Sequence, residues 1–409
     1  MAQNGILDSS EDEVDFPPND YIYRPIDVFF VVVGIVTLIM DWGFDITTAY
    51  NHWCHDDFAW FTLTVIFMCS SSLVIMVVSL RWYIKDMSND KVPPVSKCKW
   101  VARVLILLLQ LGPLIRYYDT LTFGLKSRWY WRRGDTHRQK QFYTWMLYED
   151  ADSVFLRMFE CFMEAAPQLV LQLYILTQIP VTDDPSKYGK IWRYVIFFGS
   201  VTSLVSLAWG VMAYSRGCRF TQLEKNNISL LGSFVIFLWH LFCLAARVTA
   251  LVLFASCFRM VVMWVCLGHW VIMAACLLLC RAFREACTSI FSEVLMSLVF
   301  GAVYIFVFLN YKDEPTRWKY VAYYTMWEVE NLVLLVLFLL YADPAVWYYV
   351  PAVVFHLMAF ALGLVFMGIY YTQLHPSKCA LPVLPPPREQ DDLIHSPEED
   401  AHQANQTEL

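Results

Sequence analysis

Residues 26–50 read IDVFFVVVGIVTLIMDWGFDITTAY, a stretch of apolar side chains interrupted by Asp27, Asp41 and Asp45. A helix that crosses a bilayer needs about 20 mainly apolar residues, and this stretch is long enough. Further apolar stretches follow at 58–80, 100–125, 145–178, 191–215, 228–256, 258–280, 288–310, 319–341 and 345–374. Together they predict an all-α polytopic membrane protein, because a helix satisfies its own backbone hydrogen bonds inside lipid.

The composition supports a membrane protein. Hydrophobic residues make up 58% of the 409 residues and charged residues make up 16%, whereas a soluble globular protein has about 25% charged residues. The 16 Trp, 23 Tyr and 29 Phe side chains are of the kind that lie at membrane interfaces. The net charge of −7 comes largely from acidic tails, which argues against a nucleic-acid partner.

The cysteines and histidines form no recognisable metal or catalytic motif. Six of the twelve cysteines lie inside apolar stretches, and the chain has no CxxC pair. His240, His269 and His356 are isolated residues in apolar stretches, without the spacing of metal ligands. We therefore expect no metal, no cofactor and no enzymatic activity.

Basic residues flank the third stretch, 100–125, on both sides. Lys85, Lys91, Lys97 and Lys99 precede it, and Lys126, Arg128, Arg132, Arg133, Arg138 and Lys140 follow it. Basic loops are cytosolic, so this stretch should enter the membrane and return to the same side, with Gly112-Pro113 breaking the helix near its middle. The stretch 288–310 shows the same pattern, between Arg281 and Arg284 on one side and Lys312, Arg317 and Lys319 on the other.

With these two stretches re-entrant, the chain has eight transmembrane helices and both termini are cytosolic. The order of two spans, a re-entrant segment and two spans occurs twice, which predicts two parallel pseudo-repeats about an axis along the membrane normal. The predicted organisation is an acidic cytosolic tail at 1–25, a first repeat at 26–215, a second repeat at 216–376 and a Pro-rich, acidic cytosolic tail at 377–409.

Charged side chains inside the apolar stretches are the candidate functional residues. Each one at mid-membrane costs roughly 2.5–3.5 kcal/mol on insertion scales and so needs a partner, water or a ligand. They include Asp27, Asp41, Asp45, Arg116, Asp152, Arg157, Glu160, Glu164, Arg247, Glu328 and Glu330. For any single residue, a buried ion pair that fixes helix packing is the simpler explanation. Collectively the acids outnumber the arginines, and both signs at several depths suit a phospholipid headgroup.

The segment Phe155–Tyr174, FLRMFECFMEAAPQLVLQLY, resembles the signature of the XK-related (XK/Kell-associated) phospholipid scramblases. Shorter similar motifs are DWGFD at 41–45, LQLGP at 109–113, Ala246-Arg247, Glu330-Asn331, and Tyr370-Tyr371 with His375-Pro376. The resemblance covers about residues 20–378. It implies eight spans, two re-entrant segments and an ATP-independent scramblase that moves phosphatidylserine and other lipids across the plasma membrane, often after caspase cleavage in apoptosis.

The resemblance also implies an intramembrane charged path for lipid headgroups. Its residues here are Asp27, Asp41, Asp45, Arg116, Asp152, Glu160, Glu164, Arg216, Arg247 and Glu330. One departure is Ala213, where several relatives carry an acid, so that a partner for Arg216 is missing. Trp60, just inside the outer interface, is a candidate hydrophobic gate, and an ordinary interfacial Trp is the alternative.

Asp12, Glu13, Val14 and Asp15 form the tetrapeptide that executioner caspases prefer, with cleavage after Asp15. The tetrapeptide lies in a polar, charge-rich tail, which favours access by a protease. The predicted topology places it in the cytosol, where caspases act. A chance match within an acidic tail is the alternative. The expected partners are thus membrane phospholipids and an executioner caspase.

Two other functions remain open at this point. Some members of the family pair with a single-pass glycoprotein or with a lipid-transfer protein, so the chain could be a constitutive scaffold or lipid-handling partner. Alternatively, the chain could be a solute transporter that uses the same acidic side chains inside the apolar stretches. Lipid movement without proteolysis favours the scaffold or lipid-handling role, whereas ion-coupled flux favours the transporter.

Overall fold

The computed structural model describes residues 22–87, 96–109, 111–179, 190–220, 228–284, 289–309 and 317–376. All regular secondary structure in these ranges is helical, which confirms the predicted all-α class. The helices are α1 (Pro25–Cys54), α2 (Phe58–Met87), α3 (Lys97–Leu108), α4 (Gly112–Arg132), α5 (Thr136–Glu160), α6 (Ala166–Gln178), α7 (Lys190–Phe220), α8 (Leu230–Phe258), α9 (Val261–Leu279), α10 (Ile290–Val303), α11 (Arg317–Tyr341) and α12 (Tyr349–Ile369). Two π-helical turns, Cys161–Ala165 and Tyr370–Leu374, follow α5 and α12.

The membrane character of the chain is clear from its long apolar helices. Seven of the described helices are long and apolar enough to cross a membrane, namely α1, α2, α7, α8, α9, α11 and α12 with its π turn. An eighth helical unit runs without a break from α5 through the π turn into α6. It combines a charge-rich α5 with an α6 of only 13 residues. The chain is therefore a multi-pass membrane protein, while the count of eight spans stays a prediction.

The third apolar stretch forms two helices. α3 ends at Leu108 and α4 begins at Gly112, at the predicted Gly112-Pro113 helix breaker. Arg103 of α3 and Asp119 of α4 form an ion pair at 2.7 Å. Because these two residues lie at similar distances on either side of the break, α3 and α4 fold back on each other. The stretch thus has the hairpin shape of a re-entrant segment, and its depth in the membrane stays a prediction.

The second predicted re-entrant stretch packs tightly against its neighbour. α10 lies along α9, where Gly301 is close enough to Ala274 that an added Cβ would lie 3.1 Å away. The Trp270 indole donates a 2.8 Å hydrogen bond to the Leu298 carbonyl. After α10 the chain leaves the helix and continues irregularly through residues 304–309.

α8 lies at the centre of the bundle and is the most buried of the membrane helices. It packs against α6, α7, α9, α11 and α12, so both halves of the chain contact it. Aromatic side chains connect the halves further, because Phe155 and Phe159 of α5 lie against Phe300 of α10. The charged residues described next are held by helices that share this core.

Candidate functional site

Two sets of polar side chains recur at helical spacing on α1 and on the α5–α6 unit. The set on α1 is Asp41, Asp45, Thr48 and His52, and the set on α5–α6 is Glu160, Glu164, Gln168 and Gln172. Spacings of three or four residues place each set on one face of its helix. We call these eight residues the polar row.

Arg157 organises the middle of the polar row. It donates to the Asp41 carboxylate and to the Ser206 hydroxyl of α7, the latter at 2.5 Å. Its other terminal nitrogen lies 2.7 Å from a Glu160 carboxylate oxygen. The residue is only 2% exposed, so a single arginine is shared between two carboxylates that are also buried.

Two carboxyl groups of the polar row lack a basic partner. Asp45 and Glu164 lie in hydrogen-bond contact with each other, one from α1 and one from the π turn. Among the described residues, no lysine, arginine or histidine lies within ion-pair distance of either side chain. Acids therefore outnumber arginines here, and these two carboxyls are the ones available to hydrogen-bond a polar ligand or water.

The polar row continues past Glu164 as uncharged groups. In the part of the chain that the structure describes, both ring nitrogens of His52 and both amide atoms of Gln172 are buried without a hydrogen-bond partner. Gln168 donates to the Thr64 carbonyl of α2 at 3.3 Å, yet its own carbonyl oxygen has no partner. Buried polar atoms without partners are costly. This end of the row is thus suited to water or to a polar headgroup.

Asp27 and Arg216 lie together at the other end of α1. Their side chains form an ion pair at 2.9 Å, and the Arg216 guanidinium stacks 4.0 Å above the Phe30 ring. They line a cavity of about 50 Å³ with Tyr23, Tyr117, Trp209 and Asp150 among the other walls. The acid that is absent at Ala213 therefore does not leave Arg216 unpaired, because Asp27 supplies the carboxylate.

Arg116 and Asp152 form a separate cluster between α4 and α5. Arg116 is 1% exposed and lies 2.7 Å from Glu149 and 3.1 Å from Asp152. Its guanidinium also stacks 4.2 Å from the Tyr83 ring of α2. The structure thus places Asp152 in a structural ion-pair cluster and places Asp150, which the sequence reasoning missed, in the cavity beside Asp27. The sequence offers no signal that singles it out, because Glu149, Asp150 and Asp152 stand within one turn of α5.

Arg247 and Glu330 lie in the second half of the chain and bring a third residue with them. Arg247 pairs with Glu330 at 2.7 Å and donates to the Ile305 carbonyl at 2.8 Å. His269 is not isolated, contrary to its interpretation from sequence, because one ring nitrogen lies 2.9 Å from Glu330 and the other 2.9 Å from the Tyr304 carbonyl. This cluster holds the irregular backbone after α10.

The remaining predicted residues lie at the edges of the bundle or beyond the described part. Trp60 of α2 packs against Tyr174 of α6, with ring centroids 5.7 Å apart. The tetrapeptide Asp12–Asp15 lies outside the described residues. The described residues contain no group of His, Cys, Asp and Glu side chains arranged to hold a metal ion.

Comparison with known proteins identifies the family of this sequence. The model of the XK-related protein family matches residues 29–376. Cell death abnormality protein 8 of Caenorhabditis briggsae is 27% identical over 389 residues, which cover 89% of this chain and 81% of that protein. XK-related protein 8 of Gasterosteus aculeatus is 28% identical over 376 residues, which cover 87% and 85%. Since the family model covers nearly all the helices described above, the chain belongs to the XK-related family.

Proposed function

We propose that this chain is an ATP-independent phospholipid scramblase of the plasma membrane, not an enzyme, and that it exposes phosphatidylserine after caspase cleavage at Asp15. The observation that carries the proposal is the polar row, in which Asp45 and Glu164 contact each other and have no basic partner among the described residues. The family membership and the name of the relative Cell death abnormality protein 8 support a role in lipid movement linked to cell death.

The depth covered by the polar side chains suits a lipid headgroup. From Asp27 to His52, α1 rises about 37 Å at 1.5 Å per residue, and the hydrocarbon core of a bilayer is about 30 Å thick. A headgroup fails to cross lipid because its charges lose water. Carboxylates along the path would hold an ammonium group and Arg157 would hold a phosphate, while the acyl chains stay in lipid.

The described conformation fits a resting state of such a protein. Asp41, Arg157, Glu160 and Glu164 are all buried, so a headgroup reaches them only after α1 or α2 moves. Trp60 lies on α2 against Tyr174, at the place where such a movement would open the outer end. We propose that cleavage after Asp15, close to the start of α1 at Pro25, releases this movement. The N-terminal and C-terminal tails are both cytosolic in the proposed topology.

The test is fluorescent-lipid scrambling in liposomes that contain the purified full chain, before and after treatment with an executioner caspase. An Asp15→Ala variant is the matched control, because it keeps the tail and loses the cleavage site. Scrambling that appears only on cutting after Asp15 supports the whole proposal. Scrambling before cutting supports the scramblase and removes the switch, and no scrambling in either state contradicts the scramblase.

A constitutive scaffold is the second candidate, and the ion pairs favour it. Arg116, Arg157, Arg216 and Arg247 each pair with a buried or half-buried acid, as expected when charges fix helix packing. A scaffold would bind a single-pass glycoprotein or a lipid-transfer protein and would need no cleavage. Purification of the intact chain from native membranes distinguishes the two, because the scaffold or lipid-handling role predicts a stoichiometric partner and no increase in lipid movement on cleavage.

A further inference from the structure

α4 leaves the bundle with one face uncovered. Tyr118, Leu125 and Trp129 are 65%, 54% and 45% exposed, and Arg132 is exposed as well. Steps of seven, four and three residues put these four side chains on one side of the helix. We call them the α4 outer face. Along it the side chains change from aliphatic at Leu125 to aromatic at Trp129 and basic at Arg132.

The α4 outer face extends to the start of α1, a helix that is long and apolar enough to cross a membrane. Gly124 packs directly beneath the Tyr23 ring, where an added Cβ would lie 2.5 Å from the ring, and Tyr23 stands just before the start of α1. Gly124 is therefore level with the N-terminal end of α1. Trp129 lies about 7.5 Å of helix rise beyond it, which is close to the thickness of one headgroup layer.

The charge of this region is opposite to that of the whole chain. Residues 126–140 contain six lysines and arginines and one acid, Asp135, whereas the chain carries a net charge of −7. Arg133 is exposed, and its guanidinium stacks 3.5 Å above the Trp129 ring. A second cation is thus held beside Arg132, next to an aromatic ring of the kind that lies at membrane interfaces.

We propose that the α4 outer face, together with Arg133, binds anionic phospholipid headgroups of the cytosolic leaflet. Two arginines can each fork onto a phosphate or carboxylate, Trp129 lies among the headgroups, and Leu125 faces the acyl chains. The site is distinct from the polar row, because all eight residues of that row lie on α1 and on the α5–α6 unit and none lies on α4. Its occupancy does not depend on whether the chain moves lipid.

The test is hydrogen–deuterium exchange on the full chain in nanodiscs of phosphatidylcholine with increasing fractions of phosphatidylserine. The amides of residues 125–134 should become protected as phosphatidylserine increases, and high salt should reverse the effect. The double variant Arg132→Gln/Arg133→Gln should weaken the apparent affinity about thirtyfold, the factor for about 1 kcal/mol per arginine. Inorganic phosphate added to pure phosphatidylcholine discs should give no protection, which separates a lipid headgroup from a free anion.

Arg138→Gln is the matched control, because it removes one charge from the same hairpin outside the α4 outer face. Arg138 is 61% exposed and is already held by Asp135 and by the Tyr130 hydroxyl, so protection should persist in this variant. The proposal would be overturned if Arg138→Gln lost as much protection as the double variant, or if the double variant lost no protection. Protection that is already complete in pure phosphatidylcholine and does not increase with phosphatidylserine would also overturn it. That result would indicate a protein occupant, such as the acidic tails of this chain.

Discussion

At the scale of single residues, Arg157 is the cation on which the middle of the polar row depends. Arg157→Met leaves Asp41 and Glu160 buried without their shared partner. Removing one member of a buried ion pair costs about 3–5 kcal/mol. We expect a large fall in the melting temperature of the purified protein in detergent. Arg138→Met, at an exposed position, should change stability by no more than about 0.5 kcal/mol.

Neutralising the acids together with the arginine separates charge pairing from packing. In the triple variant Asp41→Asn, Arg157→Met and Glu160→Gln, the ion-pair cluster of these three residues carries no charge that has lost its partner, so much of the lost stability should return. If the triple variant melts as low as Arg157→Met alone, the shape of the arginine side chain matters and the ion pairs do not.

Asp45 and Glu164, the carboxyls of the polar row without a basic partner in the described part of the chain, should respond in the opposite way. Asp45→Asn and Glu164→Gln leave no orphaned charge, because neither acid has a basic partner among the described residues. We expect the melting temperature to be unchanged or raised. Scrambling by the cleaved protein should fall about tenfold, which corresponds to about 1.4 kcal/mol of barrier. A folded variant that scrambles at the normal rate would remove the polar row from the lipid path.

The sequence could predict single residues where one helix carries the whole pattern. Asp41 and Asp45, like Glu160 and Glu164, are four residues apart, and this spacing alone places each pair on one face of its helix. Asp150 was missed because several acids stand within one turn of α5 and spacing alone does not rank them. The partner of His269 lies 61 residues away on α11, and only tertiary structure brings the two together.

At the scale of elements, the contact between α4 and the start of α1 allows no side chain larger than hydrogen at Gly124. In Gly124→Ala the new Cβ would meet the Tyr23 ring at 2.5 Å, and overpacking of this kind costs about 1–3 kcal/mol. We expect a lower melting temperature for Gly124→Ala. Adding Tyr23→Ala to this variant should restore part of the lost stability, because it opens space for the new Cβ. Gly268→Ala on α9, where nothing lies within 4 Å, is the control and should not destabilise the protein.

The irregular backbone after α10 depends on His269 and Arg247. His269→Gln replaces two ring nitrogens by a single amide nitrogen, which cannot contact both the Glu330 carboxylate and the Tyr304 carbonyl as the ring does, and a lost hydrogen bond costs about 0.5–1.5 kcal/mol. The amides of residues 304–309 should then exchange faster with deuterium. His356→Gln is the control, since His356 makes a single hydrogen bond to the Ala246 carbonyl at 2.9 Å. Equal exchange in the two variants would contradict a specific role for His269.

Hydropathy and local breakers predicted the elements inside the membrane better than those outside. The break at Gly112-Pro113 has a local cause and was predicted. α5 begins at Thr136, nine residues before the predicted stretch at 145, because its first turns are polar and are set by the Asp135 cap and the turn at Gly134, whose φ is +75°. The π turn at Cys161–Ala165 has no local sequence signal and needs the packed environment that stabilises it.

At the scale of the whole molecule, the number of crossings decides where the two ends of the chain lie. Seven long apolar helices alone would put the N- and C-terminal tails on opposite sides of the membrane. If the α5–α6 unit also crosses, as we predict, the count becomes eight and both tails lie on the same side. The basic residues that flank α3 and α4 indicate that this side is the cytosol.

We therefore expect an epitope added to either end of the full chain to be accessible to antibody only after the plasma membrane is permeabilised. An epitope inserted in the loop between α1 and α2 should be accessible on intact cells, which controls for expression at the surface. Asn227 provides an independent check, because its Asn-Ile-Ser sequon should carry no sugar if the loop before α8 is cytosolic. Tails on opposite sides, or sugar on Asn227, would show that α5–α6 does not cross. The polar row would then no longer extend from one leaflet to the other.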